Sequence, residues 1–111
     1  MVIGRLYTGD DGRSHFEEFD QVSMPVIDED APAKATMFRV STSERNDDWH
    51  NAPRRQYVVT LSGAVNVGLR DGTLTFGPGD VFLAEDLTGE GHTTTVPGPE
   101  PWRYMTVALA D

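Results

Sequence analysis

Glycine and proline interrupt this chain so often that little room is left for a long helix. Eleven Gly and seven Pro are spread over 111 residues, and the apolar runs between them are short and rich in the β-branched and aromatic side chains that suit a pleated strand. No stretch of useful length carries the 3.6-residue apolar period of an amphipathic helix. Residues 36–40 and 57–61 read as strands. Ala64–Arg70 alternates Val65, Val67 and Leu69 with Asn66 and Gly68, which predicts a strand buried on one face. Asp71-Gly72 then separates that run from residues 73–76, and this dipeptide predicts a two-residue type I′ hairpin turn, in which both positions take positive φ. Gly77-Pro78-Gly79 turns the chain into a further strand over 80–84, and residues 92–96 and 102–109 supply two more. The polar segments 28–34 and 43–48 read as loops. With no internal repeat and no composition break, residues 1–111 form a single all-β domain.

Composition excludes several functions. Eighteen acids against nine bases give a net charge of -9, which repels phosphate backbones and anionic lipid surfaces, so neither a nucleic-acid nor a membrane partner is expected. The absence of Cys removes thiolate ligands, Cys nucleophiles and disulfides. No G-x-S-x-G elbow is present, and the Gly clusters at 77–79 and 89–91 lack the Lys-Ser/Thr of a phosphate loop. The first residues lack the apolar run of a signal peptide, and no later run has the length of a membrane helix, so a cytoplasmic location is expected.

One segment narrows the reading further. Between Trp49 and Gly63 the chain resembles the first signature of the cupin family, a His-x-His pair followed by Glu and a closing Gly. The first His falls on His50, the second on Ala52, the Glu on Gln56 and the Gly on Gly63. The frame is kept while two metal-ligand positions are changed. The second cupin signature is matched more loosely from Gly79 to Val96: Gly89-Glu90-Gly91-His92 fits its Gly-x-x-His step, while the interval from Gly79 to Gly89 is longer than the motif's and its Pro and Asn positions fall near Glu85 and on Val96. The runs 14–16, 52–56 and 85–92 are also similar to small single-domain cupins. The resemblance covers roughly residues 49–96. It implies a jelly-roll β-barrel of two packed antiparallel sheets, completed by strands from residues 1–42, and the homodimer common among short members of the family.

The same resemblance implies a site in the barrel mouth. His50, Gln56 and His92 would be ligands of a divalent transition metal such as Zn, Ni, Fe or Mn, with Gln56 a weak neutral donor. The other reading leaves the two imidazoles as hydrogen-bonded residues of a mouth without metal. A metal-free proton-transfer site would use His50 or His92 as base and Glu85, Asp86 or Glu90 as its acid partner. Arg54 shares strand parity with His50 and Gln56, so it either holds a small anionic ligand or joins an ion pair. Tyr57 and Trp102, with Trp49 and Tyr104, either wall a pocket or pack in the core. His15 sits in a short run that reads as a turn into an edge strand. Cupins include metal dioxygenases, isomerases, epimerases and non-enzymatic modules. The expected function is therefore a small-molecule enzyme of isomerase, lyase or dioxygenase type, or else a non-catalytic ligand-binding or sensing module.

Overall fold

The computed structural model describes residues 1–22 and 30–111, and places ten strands and no helix among them. They are β1 (Ile3–Thr8), β2 (Ser14–Glu18), β3 (Ala33–Ser41), β4 (Asn46–His50), β5 (Gln56–Ser62), β6 (Val65–Leu69), β7 (Gly72–Phe76), β8 (Val81–Ala84), β9 (His92–Thr95) and β10 (Trp102–Leu109). Six of them form one sheet in the order β2-β1-β8-β5-β10-β3, and four form the other in the order β4-β9-β6-β7. This is the expected jelly roll of two packed sheets. Among the described residues no helix is long and apolar enough to cross a membrane.

Alternation along the strands builds the core. On β5, Val58 and Thr60 are buried while Tyr57 and Val59 on the opposite face are only partly so. Leu6, Val58, Phe82 and Trp102 from the larger sheet meet Val65, Val67 and Phe76 from the smaller one. Val65 and Val67 are 0% and 1% exposed, and each such side chain contributes about 1.5–3 kcal/mol by leaving water. The Trp102 indole N–H would be costly to bury alone, and it donates to Thr60 Oγ1 at 3.0 Å.

Four details depart from the sequence reading. The β6–β7 hairpin forms, but Leu69 pairs with Gly72, so its loop is Arg70-Asp71. Among the described residues no non-glycine has positive φ, which rules out a type I′ turn at either register; Gly72, at φ 155°, absorbs the unusual conformation instead. Asn46–Asp48 is strand, because the backbone ladder to Thr94 and Thr95 asks nothing of the side chains on an edge strand. Of the 28–34 segment, Ala33 and Lys34 belong to β3, while Asp28 and Glu29 lie outside the described residues. Finally, the larger sheet is mixed: β1 runs parallel to β8, an arrangement open to strands joined by a long crossover. Asp80 secures that pairing by accepting Val2 N–H at 2.8 Å and Gly77 N–H at 2.9 Å. Partial burial works against its charge, yet these donors and the nearby amino terminus hold its carboxyl below the usual range.

Candidate functional site

The two candidate imidazoles meet because they are direct partners across a ladder. His50 ends β4, His92 opens β9, and the two pair in register, with ring centroids 4.5 Å apart. Each is held by its Nδ1. In His50 this nitrogen lies 2.7 Å from the Asp48 carbonyl oxygen, an acceptor only, so Nδ1 donates and the neutral ring keeps its lone pair on Nε2. In His92 the partner is Asp86 Oδ2 at 2.6 Å. Gly91 makes this closeness possible: its φ is +77°, and an added Cβ would collide with the His50 carbonyl.

Asp86 is the most unusual residue of the site. It is 0% exposed, its Oδ2 accepts from both His92 Nδ1 and Ser14 Oγ, each at 2.6 Å, and its Oδ1 is buried with no partner. Ser14 arrives from β2, 72 positions away. The loop that carries Asp86 is moored on both sides: Thr8 Oγ1 and Asn51 Nδ2 donate to the Thr88 carbonyl at 2.9 Å, and Glu90 N–H donates to Gly12 O at 2.8 Å.

His50 and His92 open onto a cavity of about 670 Å³ between the sheets, within the range of small-molecule sites. Its walls include Arg54, Gln56 and Trp102 from the sequence reading, together with Arg39, Arg45 and Asp47. Val58, Phe82 and Ala84 form a buried apolar side, and Thr94 and Thr106 add buried hydroxyls. Trp102 belongs to the floor rather than to an open wall, being 3% exposed and stacked on Tyr104 at 3.6 Å.

Other candidates lie elsewhere. Glu85 faces away from Asp86, as neighbours on an extended chain must, and is clamped between Arg5 at 3.3 Å and Arg55 at 3.0 Å; it is not the acid partner of either His. Tyr57 sits on the face of β5 opposite Gln56 and Val58 and does not line the cavity. Glu90 pairs with Arg13 and Arg70, and Trp49 lies under the Arg70 guanidinium. His15 occupies the β1–β2 hairpin, where its Nε2 lies 3.0 Å from both carboxylate oxygens of Asp11. The Arg13 N–H and this imidazole hold the Asp11 carboxyl below its ordinary value.

The expected metal ligands do not fit a metal. Among the described residues no three His, Asp or Glu side chains converge where one ion could bind them. Ala52 brings no donor, and the Gln56 carbonyl oxygen already accepts from Arg54 Nη1 at 3.1 Å. A guanidinium at that oxygen would also repel a cation. His50, Gln56 and His92 thus share a cavity as two imidazoles and one weak, already engaged oxygen.

No protein-family model matches the sequence, and no curated protein does. Among solved structures, the cupin domain of Schizosaccharomyces pombe Cnp3 is similar over 98% of this chain and 83% of its own, with a TM-score of 0.55 and 14% identity. The fold is that of a cupin. A cupin-2 domain protein from Shewanella frigidimarina matches over 67% of this chain and 70% of its own, with 19% identity and a TM-score of 0.49. At such identities the likeness is one of fold alone. His50 and His92 meet because β4 and β9 are neighbours in one sheet; Ser14, Arg39 and Arg45 belong to neither of the two motifs.

Proposed function

We propose that this cupin acts without metal on a small carbonyl compound, moving a proton with the Asp86–His92 pair. The observation that carries the reading is the 2.6 Å hydrogen bond from His92 Nδ1 to a carboxylate wholly removed from water. With Asp86 as the carboxylate, its Oδ2 accepts from both Ser14 and His92 Nδ1, and in this reading Nδ1 carries the proton. The lone pair then sits on Nε2 of a ring that lines the cavity. There it takes a proton from carbon beside a carbonyl, and the imidazolium that forms lies against the Asp86 charge. The His92 imidazolium then gives the proton back to the substrate, at the same carbon or at its neighbour, with the His50 ring beside it at 4.5 Å between centroids.

The test is exchange of carbon-bound hydrogen in heavy water, followed by proton NMR over a panel of small ketones and keto acids. At least one should lose its α-proton signal in the presence of enzyme. Asp86→Asn presents an amide that can donate to His92 Nδ1 and so force the opposite tautomer; the rate should drop by on the order of 10⁴, as for comparable orienting carboxylates. Long-range ¹⁵N–¹H correlation should show the His92 proton on Nδ1 in the parent and on Nε2 in the variant. A parent protein with its proton on Nε2, or exchange that ignores Asp86→Asn, would refute the reading.

The proposal includes a homodimer built on β3. Among the described residues this strand is the outer edge of the larger sheet, bonded to β10 alone, and Phe38 and Val40 on it are 76% and 62% exposed. A long edge that carries apolar side chains and has no second strand among the described residues invites one, and antiparallel pairing with another copy satisfies both partners through one twofold axis. Sedimentation equilibrium should give the mass of two 12.2 kDa chains. Phe38→Lys with Val40→Lys should give one; a parent that stays monomeric at high micromolar concentration would count against it.

A further inference from the structure

We infer that the molecule held in this cavity carries an oxyanion, a carboxylate or a phosphate, and that Arg54 receives it. The inference rests on reading the cavity as a ligand site and adds the chemistry of the ligand. With eighteen acids against nine bases, an arginine in this chain should find a carboxylate easily. Five do: Arg5, Arg13, Arg45, Arg55 and Arg70 are all in ion pairs. Arg39, Arg54 and Arg103 have no carboxylate partner among the described residues, and two of these three line the cavity. Among the described residues Asp47 is the one acid on the cavity wall, and Arg45 already engages it at 2.7 Å. A strongly acidic protein therefore presents a locally cationic mouth.

Gln56 gives this arrangement its sense. Its carbonyl oxygen accepts from Arg54 Nη1, which fixes the direction of the guanidinium without cancelling its charge. A Glu at this position, as the cupin signature has, would pair with Arg54 and close the site to anions. Ala52 and Gln56, which leave the metal set incomplete, are the residue types that an anion site beside Arg54 requires. The charge preference of the mouth is inverted relative to a metal site. Arg39 and Arg54 are exposed at the rim while Val58, Phe82 and Ala84 are buried, so the ligand enters with its acidic group outward and a less polar body inward. The guanidinium fork suits either oxyanion by two parallel hydrogen bonds.

The test is a ¹⁵N-amide NMR titration at constant ionic strength with butyrate, propyl phosphate and neutral butyramide. Butyrate or propyl phosphate should bind in the millimolar range and shift the amides of His92 and Thr94. Binding of one and not the other identifies the oxyanion, and either supports the inference. Arg54→Gln should weaken that binding by about tenfold or more. Gln56→Glu should do so as well, while Arg103→Gln, which removes an unpaired arginine away from the cavity, should leave it unchanged. The inference is overturned if neither anion shifts the cavity amides, if butyramide binds as well as butyrate, or if Arg54→Gln has no effect. Proton exchange on neutral ketones tests the Asp86–His92 pair independently, so loss of either result leaves the other standing.

Discussion

Asp86→Ala should be among the most destabilising single substitutions in the molecule. It removes the acceptor for two buried donors, Ser14 Oγ and His92 Nδ1, and leaves a void where the carboxylate stood. Each stranded donor costs about 1–3 kcal/mol, and broken buried pairs generally cost about 3–5 kcal/mol. One effect runs the other way, since Oδ1 is itself buried without a partner and its loss relieves a penalty. A net loss of roughly 3 kcal/mol is expected, seen as a lower urea midpoint with an unchanged slope. Asp86→Asn keeps the shape and one acceptor and should lose about half as much. A midpoint for Asp86→Ala equal to that of the parent would show that this carboxylate does not hold the two donors. Keeping a carboxylate with an orphaned oxygen in the core is a poor choice for stability alone, which is why its position behind His92 carries functional weight.

The second large effect is a gain. Ala52→His with Gln56→Glu adds an imidazole and a carboxylate to a cavity in which His50 and His92 already present free Nε2 atoms with rings 4.5 Å apart. Four donors of the types that bind zinc would then face one space. Affinity for Zn²⁺, Ni²⁺ or Fe²⁺ should rise by orders of magnitude over the parent, measured by calorimetry with a competing chelator. The new Glu will also attract Arg54, so Arg54→Ala added to the pair should raise affinity again. If the folded double variant binds these ions no better than the parent, positions 52 and 56 do not address the histidine pair, and the comparison with the cupin signature fails at those residues.

What could be read from the sequence follows from the range over which each interaction acts. Strand positions came from local alternation, and the His50–His92 encounter from the resemblance to the two cupin motifs. The Ser14–Asp86 bond had no such signal, because it depends on β2 lying on β1 and β1 on β8, pairings that no local pattern specifies. Tyr57 was misplaced although the rule that excludes it is simple: it neighbours Gln56 on a strand, so only one of the two can face the cavity. Glu85 and Asp86 repeat the lesson, one drawn outward by Arg5 and Arg55 and the other inward by Ser14 and His92. Arg54 and Gln56 were legible as inward neighbours, but not their bond to each other, which turns a weak metal donor into the support of a guanidinium.

The parallel pairing of β1 with β8 sets when this site comes into being. Local hairpins such as β6–β7 close over a few residues and form early, whereas β1 must wait for a strand near the far end of the chain, with the loop-closure entropy that such a distance entails. Ser14 travels with the β1–β2 hairpin and Asp86 with the end of β8, so their hydrogen bond is made only when the barrel shuts. Until then the chain can have strands, turns and even a partial core, but Asp86 has no hydroxyl beside it. The Ser14–Asp86 bond and the closure of the barrel are therefore a single event.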